Sequence, residues 1–191
     1  MGSSYMTDPV IFLIDTVFSL YILAVALRFL LQWSNADFYN PVTQFLVKIT
    51  HPPLKVLRRF IPSVGKIDTS SLVLALLLQM IADFSILALK GILVGFAGLM
   101  IVSLTQLVSL FINILIFSIF ARAILSWIAM GQYNAASSVL YSLSEPVLRL
   151  CRKMVPDLGG IDLSPLIALV ILQLAKMMII PPLQQLAALI G

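Results

Sequence analysis

Two stretches decide the fold: LKVLRRFIPSVGKIDTSS at residues 54–71 and LRLCRKMVPDLGGIDLSP at residues 148–165. Laid on each other at an offset of 94, they match at Leu54/Leu148, Arg58/Arg152, Pro62/Pro156, Gly65/Gly159, Ile67/Ile161, Asp68/Asp162 and Ser70/Ser164. The same offset carries the match outward without gaps, from Arg28/Arg122 to Asp83/Met177. It passes through Trp33/Trp127, Tyr39/Tyr133, Asn40/Asn134, Pro52/Pro146 and Gln79/Gln173. Apolar runs coincide by chance in any hydrophobic chain; matched Trp, Pro, Gly, Asp and Arg do not. The chain reads as a tandem duplication, residues 1–94 and 95–191, forming one membrane domain.

The solvent around this duplication follows from composition. Of 191 residues, 61% are hydrophobic and 10% charged, with a mean hydropathy of +1.08. Soluble domains carry about 25% charged residues, and a water-soluble chain of this size leaves too much surface exposed to hide so many apolar side chains. Lipid tolerates the remainder. The net charge of +4 comes from basic residues lying between apolar runs, so anionic headgroups and not nucleic acid are the expected partner. Cys151 is the only cysteine and His51 the only histidine, which excludes an intrachain disulfide and a multi-histidine metal site. The N-terminus lacks the basic region and cleavage site of a secretory signal, so its first apolar run is expected to be retained.

Four runs are long enough to cross a bilayer: Val10–Leu31, Leu72–Leu89, Gln106–Trp127 and Leu163–Ile180, the last closed by Pro181-Pro182. The expected class is all-α, each repeat being a transmembrane helix, an amphipathic interfacial helix and a second transmembrane helix. Residues 92–104 are apolar but follow Lys90-Gly91 and contain Gly95 and Gly98. They read as an interfacial turn, an extension of a neighbouring span, or a fifth span. With four spans both long connectors face one side, and they hold Lys48, Lys55, Arg58, Arg59, Lys66, Arg149, Arg152 and Lys153. Short loops rich in Lys and Arg mark the cytoplasm, so both connectors are expected there and both termini outside. The two repeats then share orientation about a pseudo-twofold along the membrane normal.

Within each connector, Thr50 and Ser144 are expected to N-cap a short helix whose first turn accommodates proline. Leu54, Leu57 and Ile61 recur on one face, with Lys55, Arg58 and Arg59 opposite; Leu148 and Val155 repeat this against Arg149, Arg152 and Lys153. Such a helix lies in the headgroup layer. Pro62 and Pro156 are expected to end it, and Gly65 and Gly159 to permit the reversal. Asp68 and Asp162, or Ser70 and Ser164, then cap the following span. The connector is foremost a structural re-entry element, with a docking surface for lipid or a cytoplasmic protein as the second reading, which the repeated arginines keep open because capping requires none.

Ionisable side chains in hydrocarbon need partners. Asp83 and Lys176 fall at similar depths in the second and fourth spans, and pseudosymmetry would bring them together as a pair. Gln79 and Gln173 are equivalent and suited to hydrogen bonds between helices, as are Gln106 and Asn113. Trp33 and Trp127 suit interfacial anchoring, and Asp15 lies near the outer end of its span. No phosphate-binding glycine loop, nucleophile elbow or His/Cys cluster is present in the sequence. No enzymatic activity and no cofactor are expected.

The motif DFYNP at 37–41, LRRFIPSVGKIDTSS at 57–71 and its echo at 148–165 resemble the YggT family of small bacterial membrane proteins, over essentially the whole chain. The resemblance implies an inner-membrane location and a link to osmotic-stress tolerance and potassium uptake. For single-copy relatives it implies links to cell division, nucleoid distribution or haem attachment in plastids. It supplies no catalytic residues. The leading expectation is a non-enzymatic scaffold or assembly factor that acts through its basic helices, with itself or an unidentified protein as partner. The alternative is a small oligomeric channel or transporter component lined by Asp83, Lys176, Gln79 and Gln173.

Overall fold

A computed structural model describes residues 4–63, 67–128, 134–154 and 162–190. Gly65, Lys66, Pro156 and Gly159 lie outside the described residues. Six helices are found and, among the described residues, no strand: α1 (Ser4–Trp33), α2 (Pro41–Leu57), α3 (Thr69–Leu89), α4 (Phe96–Ile128), α5 (Ala135–Arg152) and α6 (Ser164–Ile190). α1, α3, α4 and α6 are long and apolar enough to cross a membrane. α1 and α4 have 30 and 33 residues, about 45 and 50 Å at 1.5 Å per residue, and so exceed a hydrocarbon core of about 30 Å.

Backbone chemistry sets the breaks. α1 stops in a Schellman turn: Asn35 adopts φ 54° and the Ala36 N–H returns to the Leu31 carbonyl at 2.9 Å. Buried Ala36 then packs in the same cluster as Leu31. α3 ends the same way, with Gly91 at φ 70° and the Ile92 N–H bonded to the Leu87 carbonyl at 3.0 Å. Gly91 therefore serves the turn. Residues 96–104 extend the N-terminal end of α4, so the region between the second and third expected spans contains no fifth crossing.

Four helix boundaries differ from the reading of the sequence in ways that bear on the connectors and the last span. The connector helices begin ten residues, nearly three turns, earlier than Thr50 and Ser144, at Asn40 and Asn134. The Asn40 side chain accepts from the Val42 N–H at 2.8 Å, with Pro41 at the first helical position; Asn134 and Ser137 form a reciprocal capping box. Thr50 and Ser144 are instead buried inside their helices. α2 stops at Leu57, ahead of Pro62, because the chain turns over residues 58–61 to bring Arg58 back against Asp68. α6 runs through Pro181-Pro182 to Ile190. Both prolines lack a donor, but turns on either side pack against α4, as buried Ala168 and Ala187 show, and membrane helices tolerate such gaps.

The helices associate as two antiparallel pairs, α1 with α3 and α4 with α6, joined by packing of α4 on α3. α2 and α5 lie together at one end, where the Asn40 amide donates to the Ala135 carbonyl at 2.8 Å. Both connectors therefore occupy the same side of the bundle. Each repeat has its own buried leucine plug: Leu54 packs with Ile22, Val25, Leu74 and Ala75, and Leu148 with Ile119, Cys151 and Ala168. The two repeats do not close into a twofold pair. α4 touches α3, but the symmetry-related contact between α1 and α6 is missing, and α3 and α6 do not meet.

Candidate functional site: arginine staples and a polar intramembrane cavity

Each connector helix is fastened to the span before it by one arginine. Arg28, buried in α1, donates Nη1 to Thr50 Oγ1 at 2.8 Å and to the Val47 carbonyl at 3.1 Å. Its counterpart Arg122, on α4, donates Nη1 to Ser144 Oγ at 3.0 Å and to Glu145 Oε2 at 2.9 Å, and its guanidinium stacks 4.3 Å from the Tyr141 ring centre. A third fastening reflects proline chemistry. Pro53 has no N–H, so the Ile49 carbonyl four residues back lacks its helical donor. The Tyr21 hydroxyl supplies one at 3.1 Å.

A second arginine closes each connector onto the next span. Arg58 forms an ion pair with Asp68, whose side chain is fully buried. Asp68 also accepts from the Ser71 hydroxyl at 2.8 Å and the Ser71 N–H at 3.4 Å, capping α3. Ser70 does not cap; its hydroxyl donates to the Ile61 carbonyl at 2.6 Å and holds the turn. In the second repeat Arg152 bridges Asp162 and Glu145, each at 3.2 Å, and Asp162 Oδ1 accepts the Ser164 N–H at 2.9 Å. Glu145 occupies the position of His51 and gathers Arg122, Arg149 and Arg152. Burial pushes the Asp68 and Glu145 carboxyls up, but the hydrogen bonds and charges of their arginines, with Ser71 for Asp68, outweigh it and hold both below the ordinary carboxylate range. Asp162 is held down chiefly by its hydrogen bond from Ser164, which outweighs the opposing effect of burial, and Arg152 adds to it.

Inside the bundle, polar groups meet where α3 and α4 pack. Ser103 donates to Asp83 Oδ2 at 2.7 Å. The Gln79 amide uses its two N–H groups on Asp83 Oδ1 at 3.2 Å and Gln106 Oε1 at 2.6 Å. Lys176 does not reach Asp83. Its ammonium donates to Asn113 Oδ1 on α4 at 2.8 Å, because α4 lies between α3 and α6 where a twofold arrangement would have put those two together. Gln173 lies exposed on α6. Beside the Gln79–Gln106 pair is a cavity of about 320 Å3, lined among others by Asp15, Gln79, Gln106, Ser109, Asn113 and Gln184. It extends from mid-bundle toward the end away from the connectors. Ile22 at its floor belongs to the apolar cluster around Leu54, Leu74 and Leu107.

A family model described as CCB3/YggT matches the chain twice, at residues 7–89 and 101–183, the second starting 94 residues after the first. The chain belongs to the CCB3/YggT family. Among its relatives, an uncharacterised Pseudomonas aeruginosa protein is 45% identical over 97% of this chain and 94% of its own length. The uncharacterised protein YggT of Escherichia coli K12 is 39% identical over 87% of this chain and 86% of its own length. No solved structure matches the chain.

In this YggT-family chain the candidate cations divide into two groups. Arg58 and Arg152 hold the fold of the connector, while Lys55, Arg59, Arg149 and Lys153 are exposed. Thr50, Ser144, Glu145, Tyr21 and Ser103 emerge as functional partners only in three dimensions. For Thr50 and Ser144 the signal existed, since they match at the repeat offset together with Arg28 and Arg122. Among the described residues no three His, Cys, Asp or Glu side chains group as metal ligands.

Proposed function

We propose that this protein is a non-enzymatic scaffold or assembly factor of the bacterial inner membrane, presenting a rigid basic plate at the cytoplasmic surface. The observation that carries the reading is the doubled fastening of each connector, through Arg28 and Arg58 in one repeat and Arg122 and Arg152 in the other. A backbone fixed in this way loses little further entropy on meeting a partner. α2 and α5 act as amphipathic interfacial helices. Each turns Leu54 or Leu148 into the bundle and leaves Lys55, Arg59, Arg149 and Lys153 with exposed Val56, Phe60, Leu150 and Met154. That mixture of cation and apolar side chain suits anionic headgroups. The basic excess supports a cytoplasmic position for this face, with the termini in the periplasm. Family resemblance supports a role in osmotic or envelope stress, with a second copy or another membrane protein as partner; nucleic acid has no part in it.

One observation favours a second reading, a channel or transporter component. The cavity beside Gln79 and Gln106 is polar inside a membrane segment, and intramembrane polar groups mark ion or solute pathways. Proteoliposomes loaded with potassium separate the two. The scaffold reading expects leak equal to empty vesicles, and a flux abolished by Asp83→Leu would overturn it. Crosslinking from Lys55 and Lys153 in native membranes should capture the partner.

A further inference from the structure

We propose that the second repeat carries a selective site for one anionic phospholipid, in a groove between α4, α5 and α6. The groove has a volume of about 710 Å3, within the range of about 300–1,000 Å3 typical of ligand sites. Its walls are apolar, including Phe120, Ile124, Leu166 and Leu169, and Arg122 and Arg152 line one end together with Tyr141 and Asp162. An acyl chain fits the apolar walls, and a phosphate fits the arginine end. Arg122 engages its protein acceptors through Nη1, and Arg152 through Nε and Nη1. Each guanidinium has five N–H donors, so donors remain for a phosphate oxygen. Arg122, Arg149 and Arg152 against Glu145 and Asp162 leave one net positive charge.

The first repeat shows why the groove is a site and not a general property of the fold. There the matching positions to Phe120, Ile124 and Leu169 are Ala26, Leu30 and Ala75. All three are buried, and Ala26 and Leu30 pack in one cluster with Ile114 and Leu143 from the second repeat. The protein fills this face itself in the first copy. In the second copy Phe120 is 53% and Leu166 61% exposed, and none of the described helices covers them. Charge selects lipid as the occupant: the groove joins apolar walls to an end lined by Arg122 and Arg152 against Asp162, which an acyl chain bearing an anionic headgroup complements.

This proposal deepens the reading of α5 as an interfacial helix of a scaffold. Delipidated protein in non-ionic detergent is offered equal amounts of phosphatidylglycerol and phosphatidylcholine in mixed micelles, and native mass spectrometry counts the lipid retained. One net charge at about 1 kcal/mol predicts roughly a fivefold preference for phosphatidylglycerol. Leu166→Trp, which fills the groove, should abolish retention, and Phe84→Trp, on an exposed part of α3, should leave it unchanged. Equal retention of the two lipids by the unaltered protein overturns the proposal without any variant. Retention unaffected by Leu166→Trp also overturns it, as does a protein dimer without lipid that Leu166→Trp breaks. Selective retention together with potassium flux in liposomes would overturn the scaffold reading and leave this site standing.

Discussion

Thr50 and Ser144 are equivalent in sequence, yet their loss should cost very different amounts. Arg28 is 5% exposed; among the described residues its hydrogen bonds go to one hydroxyl and one carbonyl, and no carboxylate lies in ion-pair reach. Thr50→Val keeps the volume and removes the hydroxyl acceptor. A hydrogen bond to a charged group contributes about 1.5–3 kcal/mol, and a buried guanidinium has no water to turn to, so a loss of about 2 kcal/mol is expected. Arg122 retains Glu145 at 2.9 Å and the face of Tyr141 when Ser144→Ala is made, so that loss should be about 0.5–1 kcal/mol. For a chain of this length 1 kcal/mol shifts the melting temperature by about 2–4 °C. Thermal unfolding in detergent should therefore show a drop of about 4–8 °C for Thr50→Val and about 1–4 °C for Ser144→Ala. Equal drops, or a larger one for Ser144→Ala, would refute the claim that the first repeat's arginine is held by neutral hydrogen-bond acceptors.

Three further outcomes test other parts of the structure. Tyr21→Phe should lower stability by about 1–2 kcal/mol in the same assay, because the Ile49 carbonyl opposite Pro53 loses its donor; an unchanged melt would show that carbonyl to be satisfied otherwise. Asp83→Leu strands the Ser103 hydroxyl and one Gln79 N–H and should cost about 3 kcal/mol, whereas Asp83→Asn, which keeps an acceptor, should cost about 1 kcal/mol. Asp68, Glu145 and Asp162 have folded-state pKa values below their unfolded ones, so the unfolded chain binds protons more readily. Their stabilisation is complete above the ordinary carboxylate range of about 4 and is lost as pH falls below it. Melting should be flat between about pH 5 and 7 and fall toward pH 3, and Asp68→Asn should shallow that fall; a slope untouched by this variant would refute the assignment.

Much of this architecture was legible in the residues. Four apolar runs, the 94-residue offset and the clustering of Lys and Arg determined an all-helical membrane chain made of two like units with both connectors on one side, because hydrocarbon leaves the backbone few alternatives to helices. The role of Asp68 as a cap followed from its place ahead of an apolar run. What only tertiary structure decided was the meaning of the repeated arginines and the relation between the repeats. A guanidinium two turns from a membrane edge looks the same in sequence whether it faces a headgroup or a threonine, and the difference lies in which helix comes back to meet it. Arg28 and Arg58 turned out to be tied to Thr50 and Asp68. Asp83 and Lys176 turned out to be separated by α4, because a duplicated sequence specifies equal units but not how they dock. That docking depends on side chains where the copies differ, such as Ser103, Gln106 and Asp83, which meet around Gln79, and one chain's single copy of each contact leaves the second repeat's outer face open where the first repeat's is filled.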